Sequence, residues 1–147
     1  MTYNEFVGMP AELLQQIWHK VDDVQLKWTV CLNTVPELGE RVQTSVRNNT
    51  EASIIRYSQA KGELDALFAR YDKAVQDIRD FLYENLSPDE ADVLDWRYCG
   101  DKSNQQIAEL KNLSYSGASS KIYRADRKAM EIYDMLQKRK KNEDLST

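Results

Sequence analysis

Between Ser103 and Met130 the chain concentrates hydroxyls and cations at helical spacing. Ser119, Ser120, Lys121, Tyr123, Arg124, Arg127 and Lys128 alternate with Ala118, Ile122, Ala125 and Ala129. The pattern predicts a helix with a narrow apolar seam and a wide face of hydrogen-bond donors. Such a face suits an anionic polymer. Hydroxyls and cations meet phosphate oxygens, and longer side chains reach base edges in the major groove of DNA.

A shorter helix is expected just before it. Ser103 has Gln106 three residues on, the spacing of a capping box. Ile107, Ala108 and Leu110 give this helix an apolar side, and Ala108 is small enough for a second helix to cross close by. Leu113 is expected to anchor the turn, with Ser114-Tyr115-Ser116-Gly117 breaking the helical pattern. Together these are the parts of a helix-turn-helix. Ser116, near the start of the second helix, joins the residues expected to contact DNA.

Other elements must position these two helices. Ser87-Pro88-Asp89-Glu90 is a helix start: Ser87 caps, Pro88 fits the first helical position, and Glu90 completes a capping box. That helix carries Ala91, Val93, Leu94, Trp96, Tyr98 and Cys99 and is expected to stop at Gly100. Arg97 sits among apolar neighbours, so its expected role is structural, tying helix ends or pairing with a carboxylate.

Residues 1–9 read as a loose lead-in, with Pro10 in the first turn of a helix. Leu14, Ile17, Val21, Val24, Trp28 and Cys31 follow at heptad steps, widened by Leu13 and Trp18. This seam predicts packing within the chain, between chains, or both. Asn33, Pro36 and Gly39 mark a hairpin loop, and the second helix starts near Pro36 or near Thr50. Ile54, Tyr57, Leu64, Leu67, Tyr71, Val75, Ile78 and Leu82 give that helix its stripe, weakened at Gly62. Two such helices bury their stripes on each other as an antiparallel hairpin. After the helix-turn-helix the pattern continues through Ile132, Met135 and Leu136, and runs out in the basic cluster Lys138–Lys141.

The expected fold is therefore all-α. A long N-terminal antiparallel helical hairpin occupies residues 1–85, a helix-turn-helix bundle residues 86–141, and a disordered tail residues 142–147. With 5 Gly and 3 Pro in 147 residues, turns are too scarce for an all-β fold. The net charge of −4 conceals a split. Residues 1–100 hold 10 Lys+Arg against 17 Asp+Glu, a net of −7. Residues 101–141 hold 10 against 5, a net of +5, so the basic field coincides with the donor-rich helix.

Catalytic chemistry finds no foothold. His19, the single histidine, reads as surface or core edge, and Cys31 and Cys99 lack metal-type spacing and read as free thiols. No paired carboxylates, nucleophile constellation or Gly-rich phosphate loop occurs, so no enzyme, cofactor or metal is expected. No apolar run predicts a membrane span and no signal pattern opens the chain, so a cytoplasmic location is expected.

Val93-Leu94-Asp95-Trp96-Arg97-Tyr98, then Ile107-Ala108-Glu109-Leu110, then Ile122-Tyr123-Arg124 with Ala129-Met130, form an ordered set of short motifs. Over residues 88–136 this set resembles region 4 of bacterial sigma factors. More closely, it resembles the sigma-region-4-like transcriptional regulators of phages and prophages in Gram-positive bacteria, the ArpU/RinA type. The resemblance implies a DNA-binding regulator, an activator of phage or prophage genes, in the host cytoplasm. It implies that Ser119, Ser120, Lys121, Tyr123 and Arg124 face the groove, with Arg127, Lys128, Ser103 and Asn104 near phosphates. The span from Ala108 to Ile122 is about four residues, or one helical turn, longer than the family's usual spacing, and Asn112 stands where the turn usually has glycine. Either the turn is enlarged or the recognition helix starts a turn earlier, near Ser116.

Expected partners are double-stranded DNA, RNA polymerase and, in a homodimer, a second copy of the chain. Two other functions fit the same elements: a sigma-like module that binds polymerase without its own DNA site, and a phage packaging component like the small terminase subunits.

Overall fold

The structure is a computed structural model and describes residues 1–34 and 44–146. Among the described residues there are five helices and no strand: α1 (Tyr3–Thr34), α2 (Thr44–Asn85), α3 (Pro88–Tyr98), α4 (Asn104–Lys111) and α5 (Tyr115–Ser146). The all-α class follows. No helix among the described residues is long and apolar enough to cross a membrane.

Two compact units share these helices. One joins Met1–Ala11 to Asp72–Thr147, and the other is Glu12–Tyr71. The division differs from the break at residue 85 expected from sequence, because both ends of the hairpin sequence contribute side chains to the first unit's core.

In the first unit Tyr3 and Val7 from α1, and Ile78, Leu82 and Leu86 from the α2 end, join Val93, Leu94, Ile107, Ile122, Ala125, Ala129 and Tyr133 in one buried cluster. Phe6, Phe81 and Tyr133 pack ring to ring at centroid distances of 5.1–5.7 Å. These contacts explain why the N-terminal segment is helical from Tyr3 rather than a loose lead-in. Burying Tyr3 and Val7 outweighs the break that Pro10, inside the helix, would otherwise favour. The Thr2 hydroxyl starts the helix by accepting from the Glu5 N–H at 3.2 Å.

In the second unit the two segments run antiparallel: Lys20 pairs with Glu63, and the rings of Trp28 and Tyr57 lie 4.9 Å apart. On α2 the packed row is Ser53, Tyr57, Ala60, Leu64, Leu67 and Tyr71, at heptad steps. Ile54, expected in that row, is instead 46% exposed. Ser53 and Ala60 take the inward positions because the row's period is heptad, and small residues there permit close approach. The sequence expectation for Pro36 and Gly39 lies outside the described residues. Asn33 still belongs to α1.

α5 is a single helix from the donor-rich segment to Ser146. The expected tail from Asn142 is helical as far as Ser146, continuing the periodic run without a break.

Candidate nucleic-acid interface

α3, α4 and α5 each carry caps written into the sequence. Ser87 accepts the Glu90 N–H at 3.4 Å and donates its hydroxyl to the Glu90 carboxylate at 2.7 Å, with Pro88 at the first helical position. α3 ends at Tyr98. The backbone then folds back, with the Gly100 N–H donating to the Asp95 carbonyl and the Lys102 N–H to the Trp96 carbonyl. A Cβ on Gly100 would stand 2.9 Å from the Trp96 carbonyl oxygen, so this close approach needs glycine. The left-handed residue is Asp101, at φ 51°. α4 opens with a complete capping box: the Ser103 hydroxyl accepts the Gln106 N–H at 3.2 Å, and the Gln106 side chain accepts the Ser103 N–H at 2.9 Å.

The turn between α4 and α5 is three residues, Asn112–Ser114. Asn112 takes the left-handed conformation at φ 55°, and the Leu113 N–H closes back on the Ala108 carbonyl at 2.9 Å. Ser114 then accepts the Gly117 N–H at 3.1 Å, which makes Tyr115-Ser116-Gly117 the first turn of α5 rather than part of a loop. The residues between Ala108 and Ile122 thus fall mostly in α4 and α5, and the turn between them is short. Leu110 and Leu113, expected on the apolar side and at the turn anchor, are 53% and 40% exposed. Ile107 and Ala108 seal α4, and backbone bonds close the turn without a leucine anchor.

α5 buries Ala118, Ile122, Ala125, Ala129 and Tyr133 on one side. Its opposite side carries Ser116, Ser120, Tyr123, Arg124 and Arg127, all exposed, with Ser119 half-buried at the edge. Ser119, Ser120, Tyr123 and Arg124 line a shallow open depression. The Arg124 Nε donates to the Ser120 carbonyl at 3.3 Å, which lays the guanidinium along the helix. Among the described residues neither Arg124 nor Arg127 forms an ion pair.

Lys121 and Lys128 stand apart from that face. Lys121 pairs with Asp89, and Lys128 with Glu90 at 3.2 Å, so the acidic start of α3 holds both. Lys111 of α4 also reaches Asp89, at 2.7 Å, and its ammonium lies 5.1 Å from the centre of the Trp96 ring. The ammonium groups of Lys111 and then Lys121 hold the Asp89 carboxyl below the usual carboxylate range. The Ser87 hydroxyl, and after it Lys128, do the same for Glu90. Asp89 and Glu90 were legible only as a helix start; nothing in the sequence brings them beside the middle of α5.

Asn104 links three elements. It accepts a hydrogen bond from the Arg97 guanidinium and donates to the Ser119 hydroxyl at 3.4 Å. Arg97, read from sequence as a tie between helix ends, is exposed and makes that tie. Of the ten residues expected at the interface, Asn104 and the six α5 residues from Ser116 to Arg127 other than Lys121 lie on or beside one face. Lys121 and Lys128 are held at the α3 side, and Ser103 is engaged by its own cap.

Comparisons with protein families, with curated proteins and with solved structures return no match for this chain.

Proposed function

We propose that this chain is a sequence-specific regulator of transcription that binds double-stranded DNA through a helix-turn-helix made by α4 and α5. The observation that carries this reading is the two-sidedness of the first four turns of α5. Small apolar residues seal one side, while Ser116, Ser120, Tyr123, Arg124 and Arg127 stand exposed on the other. Small residues at the packed side let the helix sit low on its support, so its donors project from the surface. Arg124 and Arg127 then read base edges or bind phosphates, and Ser119, Ser120 and Tyr123 add hydroxyl contacts. α4 presents its N-terminus and Asn104 toward the backbone of the same duplex. The resemblance to sigma-region-4-like phage regulators extends this reading to activation of phage or prophage genes.

Fluorescence anisotropy with DNA from upstream of the chain's own operon, at two salt concentrations, tests binding. Specific binding that weakens as salt rises is expected. Affinity that ignores salt, or no binding, overturns the proposal. Arg124→Ala costs ~1–3 kcal/mol of specific binding if Arg124 reads a base. Capture of RNA polymerase without DNA, with no shift of operator DNA, would favour an interaction module instead.

A further inference from the structure

The apolar residues of α1 in the second unit resolve into two heptad rows, offset by one residue. Leu13, Ile17, Lys20, Val24, Lys27 and Cys31 form the row that packs against α2. Leu13, Ile17 and Cys31 in it are buried, and the stems of Lys20, Val24 and Lys27 are half-buried. Leu14, Trp18, Val21, Gln25, Trp28 and Leu32 form a second row with the same 4-3-4-3-4 steps. Trp18 is 62% exposed, Trp28 46% and Leu32 53%, although Trp28 rests one edge on Tyr57. An apolar row with this period, with Trp18 open and Trp28 only partly covered by Tyr57, is the seam of a left-handed helix pair that lacks its second helix.

We propose that the missing helix is α1 of a second copy of this chain, paired in parallel and in register along this second row. The charges select both partner and orientation. The row and its open flank, Gln15, Asp22 and Thr29, hold one charge between them, Asp22, so they offer little for a charged partner to recognise. An antiparallel α1 pair sets Asp22 against Asp22 of the other copy, which like-charge repulsion disfavours. A parallel pair in register offsets the two aspartates and faces each Asp22 toward the Ile17 level. It also faces Gln25 with its own copy. An amide donates and accepts at once, so two glutamines satisfy each other, and a single polar layer in an apolar seam fixes register. Trp18, Val21, Trp28 and Leu32 then each meet their own copies above and below that layer. The pairing is independent of the DNA-binding proposal, since a chain that binds no DNA pairs equally well.

Light scattering on the full chain reads the mass directly. Twice the 17.1 kDa of one chain is expected for wild type, and the mass of a single chain for Trp18→Glu and Trp28→Glu. Trp18 is 62% exposed, so circular dichroism of Trp18→Glu should match wild type, while Trp28→Glu also gives up the ring contact with Tyr57. Ile55→Glu, at an exposed position of α2 outside the row, should leave the doubled mass unchanged. A wild-type chain that stays single at every concentration overturns the proposal, as does a doubled mass that survives both tryptophan variants. Leu32→Cys supplies a second measurement. Under mild oxidation it should cross-link to itself in a parallel pair, whereas an antiparallel pair sets it against Leu14 of the other copy. The wild-type chain, with Cys31 buried and Cys99 half-buried, is the background. Absence of a Leu32→Cys cross-link in a chain of doubled mass overturns the parallel arrangement.

Discussion

The hydroxyl of Tyr3 donates to the carboxylate of Asp126 at 2.6 Å, across 123 positions of sequence. Tyr98 donates to the same oxygen at 2.7 Å. Asp126 lies on the donor-rich part of α5, so the first turn of α1 and the end of α3 both fix that helix. Tyr3→Phe removes one donor but leaves Asp126 bonded to Tyr98, and should cost about 1 kcal/mol. Asp126→Ala strands two part-buried hydroxyls and should cost about 2–6 kcal/mol, at roughly 1–3 for each. Urea denaturation followed by circular dichroism compares them. Equal losses from both variants would show that the shared acceptor is not what couples the three helices.

The same cluster sets a response to alkali. Burial first, and the Asp126 carboxylate second, push the Tyr3 and Tyr98 hydroxyls well above the ordinary 10.0 of a tyrosine. Burial likewise pushes the Cys99 thiol up to about 12 from an ordinary 9.0. A raised value means that the folded state holds its proton more tightly than the unfolded chain. The stability from these groups is therefore intact below the ordinary values and is lost as pH climbs past them. Tyrosinate absorbance from Tyr3 and Tyr98 should appear together with loss of helix in an alkaline titration. Ionisation of all eight tyrosines well before any helix is lost would contradict the buried cluster.

On the proposed DNA-binding function, Asp89 and Glu90 compete with phosphate for the cations of α4 and α5. Asp89→Asn releases Lys121 and leaves Lys111 only its longer pair with Asp92 at 3.9 Å, and Glu90→Gln releases Lys128. Each variant should bind DNA more tightly than wild type, with a salt slope steeper by about one for each ammonium that reaches a phosphate. Anisotropy titrations over a salt series measure both. Unchanged slopes would mean that these lysines lie out of reach of the duplex. Both carboxyls are held below their ordinary values, so the pairs' contribution to stability is present above that range and is lost as pH falls through it. In Asp89→Asn the acid limb of the stability curve should flatten. These pairs are exposed, so the effect on folding is small beside the effect on binding.

The all-helical class, the Ser87 and Ser103 caps and the buried Ile107-Ala108 pair were legible because each is local: a cap needs a side chain and a backbone three residues away, though at Ser87 the Glu90 carboxylate takes the hydroxyl and only Ser103 has the full capping box. Tyr3 was not legible as core, because its partners Asp126 and Tyr133 are supplied by the far end of the chain. The α1 stripe was legible as apolar but not as two rows, since only packing decides which of two adjacent heptad rows an antiparallel neighbour covers. Lys121 and Arg127 look alike in sequence. Their difference comes from Asp89, which α3 places beside one and not the other.

Asn112 decides where α5 begins. Its left-handed backbone, at φ 55°, turns the chain sharply enough that Ser114 can cap the next helix. Asn tolerates this conformation and glycine adopts it freely, but a β-branched residue meets its own backbone there. Asn112→Gly should therefore change stability by only a few tenths of a kcal/mol, while Asn112→Val should lose about 1–2 kcal/mol. The two variants leave every residue of the exposed α5 face in place. If Asn112→Val also weakens DNA binding at temperatures where it remains folded, and Asn112→Gly does not, the turn is setting the position of α5 on the duplex. Equal binding by both, alongside the expected stability difference, would show that α5 is held by its core contacts alone.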